Sequence, residues 1–330
     1  MIYNLLAANG MGGTGLLLGV ILAFFETIFL TGGLCEKLPR DGGRDFAHDG
    51  KKSAGKPRGA GIIFVLVYAI TALLFAPVNL EIGLYVLLVV ICMITGFLDD
   101  AAKTPWGEYL KGFLDLCVAV AVAVVYIMNH GSTVHLALFG VEFKLPAIVY
   151  GILAVILVWA SINVTNCTDG VDGLSGSLAM ITMMSIYFVM QKMGAGMELS
   201  EGQLAFDFAP HIPMMAICIL AYLWYNATPS KLMMGDAGSR AMGIFIAIAV
   251  LQTGAPLLYL ILGLVMILDG GLGLIKVSLI RFCKLHIMKN IRTPLHDHVR
   301  KNWEWSNTQC VFRFAIIQII LCVIVVYLMK

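Results

Sequence analysis

Charge is what this sequence has least of. Only 13% of its 330 residues are Asp, Glu, Lys or Arg, while 60% are hydrophobic; a soluble globular domain carries about 25% and about 45–50% respectively. That shortage excludes a soluble domain of ordinary composition. A net charge of +2 gives no electrostatic reason to expect nucleic acid as a partner. Closely spaced cysteine pairs are lacking too. Cys35, Cys92, Cys117, Cys167, Cys218, Cys283, Cys310 and Cys322 never stand as CxxC, and none falls in a loop assigned below to the outer side. Both a zinc site and a disulfide framework are therefore unexpected. No Lys or Arg precedes Lys37, so a cleavable signal peptide is not expected either. The stretch Gly10 to Gly15 has the form GxGxxG but follows no strand, which argues against a dinucleotide site.

What the chain has in abundance is long apolar runs. Spans are expected at 13–34, 60–78, 82–98, 112–129, 146–164, 174–193, 211–226, 241–254, 256–280 and 309–329. A bilayer-crossing helix takes roughly 20 residues, so ten of them occupy most of the chain. Residues 1–330 read as a single transmembrane domain, an all-α polytopic integral membrane protein with ten transmembrane helices. The loops after spans 1, 3, 5, 7 and 9 hold 17 of the 22 Lys and Arg residues, against three on the opposite side. The positive-inside rule makes those five loops cytoplasmic and puts both termini outside. On the outer side, Val134 to Leu145 alternates about Phe139-Gly140 and predicts a small β-hairpin. His130, His135 and His211 are expected to be ordinary interfacial residues there.

The acids gather on the cytoplasmic side, which holds 12 of the 20. Asp99-Asp100 closes span 3 with Lys103 four residues on, sharing a face with Asp99 if the helix continues. After span 5, Asn166, Asp169 and Asp172 recur every three residues, a spacing that would gather them on one side of a helix. Met234-Gly235-Asp236-Ala237-Gly238-Ser239 follows span 7, and Pro294-Leu295-His296-Asp297-His298 follows span 9. Any one of these could be a helix cap. Four loops of one face carrying acids and histidines beside a basic first loop, Lys37 to Arg58, form a pattern that caps alone do not explain. Clustered carboxylates suit a hard divalent cation such as Mg²⁺, which takes one or two of them together with water and phosphate oxygens. Nearby lysines can neutralise further phosphate oxygens. The chemistry indicated is phosphoryl transfer at the cytoplasmic membrane surface, with an aspartate that accepts a proton from, or positions, the attacking oxygen.

In this order and spacing, Asp99-Asp100-x-x-Lys103, Asn166-x-x-Asp169-Gly-x-Asp172-Gly-Leu174, Asn226 followed by Met234-Gly235-Asp236-x-Gly-Ser239, and Pro294-Leu295-His296-x-His298 resemble the motifs of the polyprenyl-phosphate N-acetylhexosamine-1-phosphate transferases. The bacterial phospho-N-acetylmuramoyl-pentapeptide transferase branch is the nearest match. The resemblance implies ten transmembrane helices, usually in a homodimer of the bacterial cytoplasmic membrane, with the active site facing the cytoplasm. It implies that UDP-N-acetylmuramoyl-pentapeptide and undecaprenyl phosphate give lipid I and UMP with Mg²⁺. Carried over by motif, Asp236 and Asp100 would hold the metal. Asp99 and Asp100 would sit at the phosphates, with Asp99 the candidate base. Lys103 and Lys111 would contact the diphosphate, and Asn166, Asp169, Asp172 and Asn226 would line the nucleotide-sugar pocket. His296 and His298 would border the active site, and Lys52 of the first loop would bind substrate. A groove for the prenyl tail is implied near the ninth helix, where Gly270-Gly271-x-Gly273 is consistent with a break. Two departures stand out: Asp297 takes the place of a middle histidine, and Lys56-Pro57-Arg58-Gly59-Ala60-Gly61 replaces Thr-Pro-Thr-Met-Gly-Gly.

Three other readings compete. A sibling transferase using UDP-N-acetylglucosamine or another UDP-sugar would share most of the motifs. A secondary transporter would want ionisable groups at the bilayer midplane and internal repeats, whereas the acids here gather at one interface. An intramembrane aspartyl protease would want Gly-x-Gly-Asp, which Met233 interrupts.

Overall fold

The computed structural model describes residues 2–43, 53–195, 204–285, 288 and 290–329. Most of them are helical, and helices occupy each of the ten expected segments. In chain order these are α1 (Ile2–Ala8), α2 (Gly12–Leu34), α3 (Gly61–Phe75), α4 (Leu80–Ala101), α5 (Glu108–His130), α6 (Ala147–Thr168), α7 (Leu174–Gly194), α8 (His211–Asn226) and α9 (Gly235–Gln252). After a short 3₁₀ turn at Pro256–Leu258 come α10 (Tyr259–Leu262), α11 (Leu264–Met266), a π-helical turn (Ile267–Gly271), α12 (Leu272–Cys283), α13 (Leu295–Asn302) and α14 (Asn307–Leu328). Six helices among the described residues are long and apolar enough to cross a membrane, or seven if the bent pair Pro256–Leu262 and Leu264–Cys283 is one span.

The centre of the fold is α9, in which every residue from Gly235 to Leu251 is buried. It packs against α3, α4, α6 and α7. Close approach is possible because glycines meet it from three sides. A Cβ on Gly61 would lie 2.0 Å from the Gly238 nitrogen, one on Gly96 2.4 Å from the Asp236 carbonyl oxygen, and one on Gly243 of α9 itself 2.6 Å from the Ile162 Cα. Small residues at helix contacts are how apolar helices pack where lipid is as apolar as the partner. The outer helices show the converse, with large apolar side chains such as Phe312, Ile316, Ile320 and Val323 of α14 left exposed.

The expected hairpin forms. Strands β1 (Thr133–Leu136) and β2 (Val141–Lys144) pair antiparallel, with Thr133 opposite Lys144 and Leu136 opposite Val141. The His135 N–H donates to the Gly254 carbonyl at 2.9 Å, docking the hairpin on the end of α9. His130 and His135 pair with Glu81 and Glu142. His211 departs from the interfacial expectation: it is fully buried, its Nε2 2.9 Å from the Pro77 carbonyl.

The break in the ninth expected span is at Gly263, not in Gly270-Gly271-x-Gly273, and the two halves meet at 68°. Gln318 of α14 completes it. Its Nε2 donates to the Leu262 carbonyl and its Oε1 accepts from the Val265 N–H at 3.2 Å. Backbone groups freed inside an apolar layer need such partners. Gly270 serves packing instead, since a Cβ there would lie 2.4 Å from the Val164 carbonyl oxygen of α6.

Candidate active site

Two adjacent carboxylates end α4, and a helix sends adjacent side chains about 100° apart, so each finds its own partners. Asp100 reaches α9: its two oxygens each accept a backbone N–H, from Asp236 and from Ala237, both at 3.0 Å. These are orphan donors of a helix N-terminus, where the helix dipole also favours negative charge. Gly235 makes the approach possible, with φ at +67° and an added Cβ 2.2 Å from Asp100 Oδ2. Asp99 turns the other way, accepting the Trp106 N–H at 2.7 Å and standing 2.5 Å from Lys111 Nζ. The helix stops at Ala101 because Ala102 is extended, with ψ 138°. Asp99 and Lys103 therefore do not share a helical face. Lys103 is exposed and makes no ion pair among the described residues.

Asp99, Asp100 and Asp236 each bring one oxygen within 4.8 Å of the others, and all three are buried. Asp236 joins them from the first turn of α9. Two cations face this triad. Lys111 bridges Asp99 to Asp236 Oδ2, the second contact at 3.0 Å. Arg58 bridges Asp100 to Asp236, at 2.8 Å from Asp100 Oδ1 and 3.2 Å from Asp236 Oδ1, and lies 3.6 Å from Asp41. Burial by itself lowers the guanidinium pKa, but Asp100, Asp236, Asp41 and Asp99 outweigh it and hold it above its ordinary value. Four carboxylates thus face two cations, which leaves negative charge for a further cation. Hard carboxylate oxygens without sulfur or imidazole are a donor set that fits a hard divalent cation such as Mg²⁺ better than zinc.

The Asn166, Asp169 and Asp172 series does not lie on one helical face, because α6 ends at Thr168 and α7 begins at Leu174. Asn166, in the last turn, still comes up beside the triad, donating to Ser239 Oγ at 2.9 Å and helping to hold the Asp236 pKa below its ordinary value. Asp169 caps the end of α6. Asp172 accepts the Ser230 N–H at 3.2 Å and lies 3.8 Å from Lys56. Asn226 has its side chain committed to the scaffold, accepting from the Gly173 N–H at 2.8 Å and donating to the Leu232 carbonyl at 2.9 Å.

His296 is buried at the start of α13 and anchored by Asp269, which the π-helical turn presents. Asp269 accepts the His296 backbone N–H at 2.7 Å and holds imidazole Nδ1 at 2.8 Å. The Nε2 side abuts Gly170, where a Cβ would come within 2.2 Å, so the imidazole borders the Asn166–Leu174 loop. Burial pulls the imidazole pKa down, but Asp269, aided by Asp297 and opposed by Arg300, leaves it above its ordinary value. Asp297, in the place of the expected middle histidine, sits between Arg292 and Arg300 at 3.9 and 3.5 Å. His298 turns aside, its Nδ1 accepting the Arg292 N–H at 3.2 Å and its ring against Trp303. Lys52 lies outside the described residues.

The triad, Lys111 and Asn166 thus converge, His296 lies at the rim of the Asn166–Leu174 loop, and Lys103 and His298 stand away. Arg58 was anticipated only as part of the basic first loop, and Asp41 beside it and Asp269 behind His296 were not anticipated as site residues. Asp269 did carry a signal, since an ionisable side chain inside an apolar span is costly unless partnered.

The segment from α4 to α9, residues 82–254, matches the family model for glycosyl transferase family 4, and it contains Asp99, Asp100, Lys111, Asn166 and Asp236. Relatives extend the likeness over nearly the whole chain. A phospho-N-acetylmuramoyl-pentapeptide-transferase of Treponema pallidum (strain Nichols) is 41% identical over 317 residues, covering 92% of this chain and 86% of the relative. Proteins of the same name are 31% identical in Clostridium botulinum (strain Eklund 17B / Type B), covering 86% of both chains, and 29% identical in Brachyspira hyodysenteriae, covering 94% and 92%. With its buried acidic triad inside the matched segment and this identity along its length, the chain belongs to glycosyl transferase family 4, in the branch of the phospho-N-acetylmuramoyl-pentapeptide transferases.

Proposed function

We propose that the protein transfers phospho-N-acetylmuramoyl-pentapeptide from its UDP-linked form to undecaprenyl phosphate, giving lipid I and UMP at the cytoplasmic face of a bacterial cytoplasmic membrane. The observation that carries this reading is the meeting of Asp99, Asp100 and Asp236 with Lys111 and Arg58. The names of the relatives support the substrates. The concentration of Lys and Arg in alternate loops supports ten spans with both termini outside and the site inside. Residues 1–330 act as one transmembrane domain, and two copies form a homodimer.

The chemistry needs a lipid phosphate oxygen to attack the phosphorus that carries the sugar. A new P–O bond forms there, the bond to the bridging oxygen breaks, and UMP leaves. Asp99 orients the attacking phosphate or accepts its proton, and Lys111, already beside Asp99 and Asp236, neutralises the transferred phosphate. Asp100 and Asp236 would hold Mg²⁺, which supplies positive charge against the diphosphate when bound. Asn166, Asp169 and Asp172 hold the nucleotide sugar, and His296, fixed by Asp269, presents Nε2 to the same rim. Asn226 contributes indirectly by fixing the loop at Gly173. An apolar groove of about 800 Å³ between α6 and α10–α12, lined by Leu153, Ile156, Trp159, Leu260, Leu274 and Leu279, fits a prenyl tail. Its border at Val164 and Gly271 adjoins the turn that carries Asp269.

The test is UMP release by detergent-purified protein given undecaprenyl phosphate, Mg²⁺ and one UDP-sugar at a time. Release with UDP-N-acetylmuramoyl-pentapeptide is expected. Release with UDP-N-acetylglucosamine alone would move the protein to a sibling branch, and no release with any UDP-sugar would remove the enzyme class.

A further inference from the structure

Arg58 comes from the first loop and reaches across to two carboxylates of the triad. Its backbone is held on both sides: the Arg58 N–H donates to the Pro39 carbonyl at 2.8 Å, the Met233 N–H donates to the Pro57 carbonyl at 2.8 Å, and the Ala60 N–H donates to the Met233 carbonyl at 3.1 Å. Gly59, at φ +86°, turns the chain between these anchors. The loop is thus pinned to the start of α9 by its backbone, independently of the Arg58 side chain, which is 17% exposed.

We propose that Arg58 is a second, exchangeable cation of this site. Its guanidinium lies against Asp100 and Asp236, and during the reaction it turns to the diphosphate of the nucleotide sugar. The proposal rests on the transferase reading above. Two observations and one chemical argument carry it. The oxygens that Arg58 occupies belong to the carboxylates best placed to bind a divalent ion, so the two cations share ligands. A doubly charged ion held by those carboxylates would repel the guanidinium and compete for its partners. The other Arg58 contact is a 3.6 Å pair with Asp41, too long to be a hydrogen bond. A diphosphate offers what the carboxylates then withdraw, because a planar guanidinium grips phosphate oxygens through two parallel N–H bonds. The alternative is a permanent tether that keeps the first loop on α9.

The two are separated by titrating the full-length, detergent-purified protein with Mn²⁺ alone and following free Mn²⁺ by electron paramagnetic resonance. Removing a competing cation should tighten Mn²⁺ binding, so R58Q is expected to bind it about tenfold more tightly than the native protein. R58K keeps the charge and should stay near the native value. Calorimetry with UDP in the presence of Mg²⁺ should show both variants binding UDP about five- to tenfold more weakly. Mn²⁺ binding in R58Q that is unchanged or weaker, with a cooperative melt retained, overturns the proposal, because a tether would slacken the carboxylates. If R58Q does not melt cooperatively, R58K decides: native UDP affinity in R58K overturns it as well. The Mn²⁺ titration uses no substrate, so its outcome is separate from that of the transferase reading, which fails only if the native protein releases no UMP.

Discussion

Asp100 holds Asp236 by its backbone. The carboxylate that ends α4 accepts the Asp236 N–H at 3.0 Å, and the neighbouring Ala237 N–H at the same distance, so one acid both caps α9 and orients the next acid of the triad. Structure and chemistry therefore share a single side chain. Changing Asp100 to Ala leaves two buried donors unpaired and Arg58 without its nearest counter-charge. The expected cost is about 2–4 kcal/mol of stability, read as a lowered Tm, together with loss of turnover.

Asp236 is different, because its side chain caps nothing and faces Arg58 and Lys111. Asp236→Asn should fold, with a Tm within a few degrees of the native value, and should lose turnover by about three orders of magnitude or more, the scale of removing a principal electrostatic group. Mn²⁺ titration should show weakened binding. Retained turnover in this variant would take the metal role from Asp236.

Gly235 tests the close approach itself. At φ +67°, with an added Cβ 2.2 Å from Asp100 Oδ2, Gly235→Ala must both strain the backbone and push Asp100 off its two donors. Stability should fall by about 2–4 kcal/mol, and UMP release should fall with it. An alanine variant with native Tm and native turnover would contradict the cap geometry.

The Asp269–His296 pair predicts a pH dependence. Asp269 holds the His296 pKa above its ordinary value against the opposing effect of burial. The stabilisation is therefore fully present below the unfolded histidine value of about 6.5 and is lost as pH rises through the folded value. Tm should decline across that interval. Asp269→Asn should lower Tm at pH 6 and flatten the decline, and measuring Tm from pH 5 to 9 for both proteins checks it. An unchanged slope in the variant would assign the pH dependence to another group.

The apolar layer was legible in the sequence because runs of Leu, Ile and Val near bilayer length leave few alternatives, and helices occupy all ten segments. The hairpin was legible from alternation around Phe139-Gly140. Asp99, Asp100 and Asp236 could be nominated because acids are rare in this composition and stand in short motifs. The converging partners were harder. Arg58 and Asp100 are 42 positions apart, and Asp269 and His296 are 27 apart; no periodicity links them. The break at Gly263 depends on Gln318, in another helix, so the glycine pattern near residue 270 pointed to the wrong place. Helix ends explain the remaining misses. Asp99 with Lys103, and Asn166 with Asp169 and Asp172, would share faces only on helices that continue, and α4 and α6 stop at Ala101 and Thr168.

The central claim is a transfer of phosphate-linked sugar to a lipid phosphate, and mass spectrometry of the lipid product tests it most directly. Purified protein given UDP-N-acetylmuramoyl-pentapeptide, undecaprenyl phosphate and Mg²⁺ should form a diphosphate-linked lipid–sugar–pentapeptide and UMP in equal amounts, and excess chelator should stop both. UMP without the lipid product, or the product without any need for a divalent ion, would contradict the account.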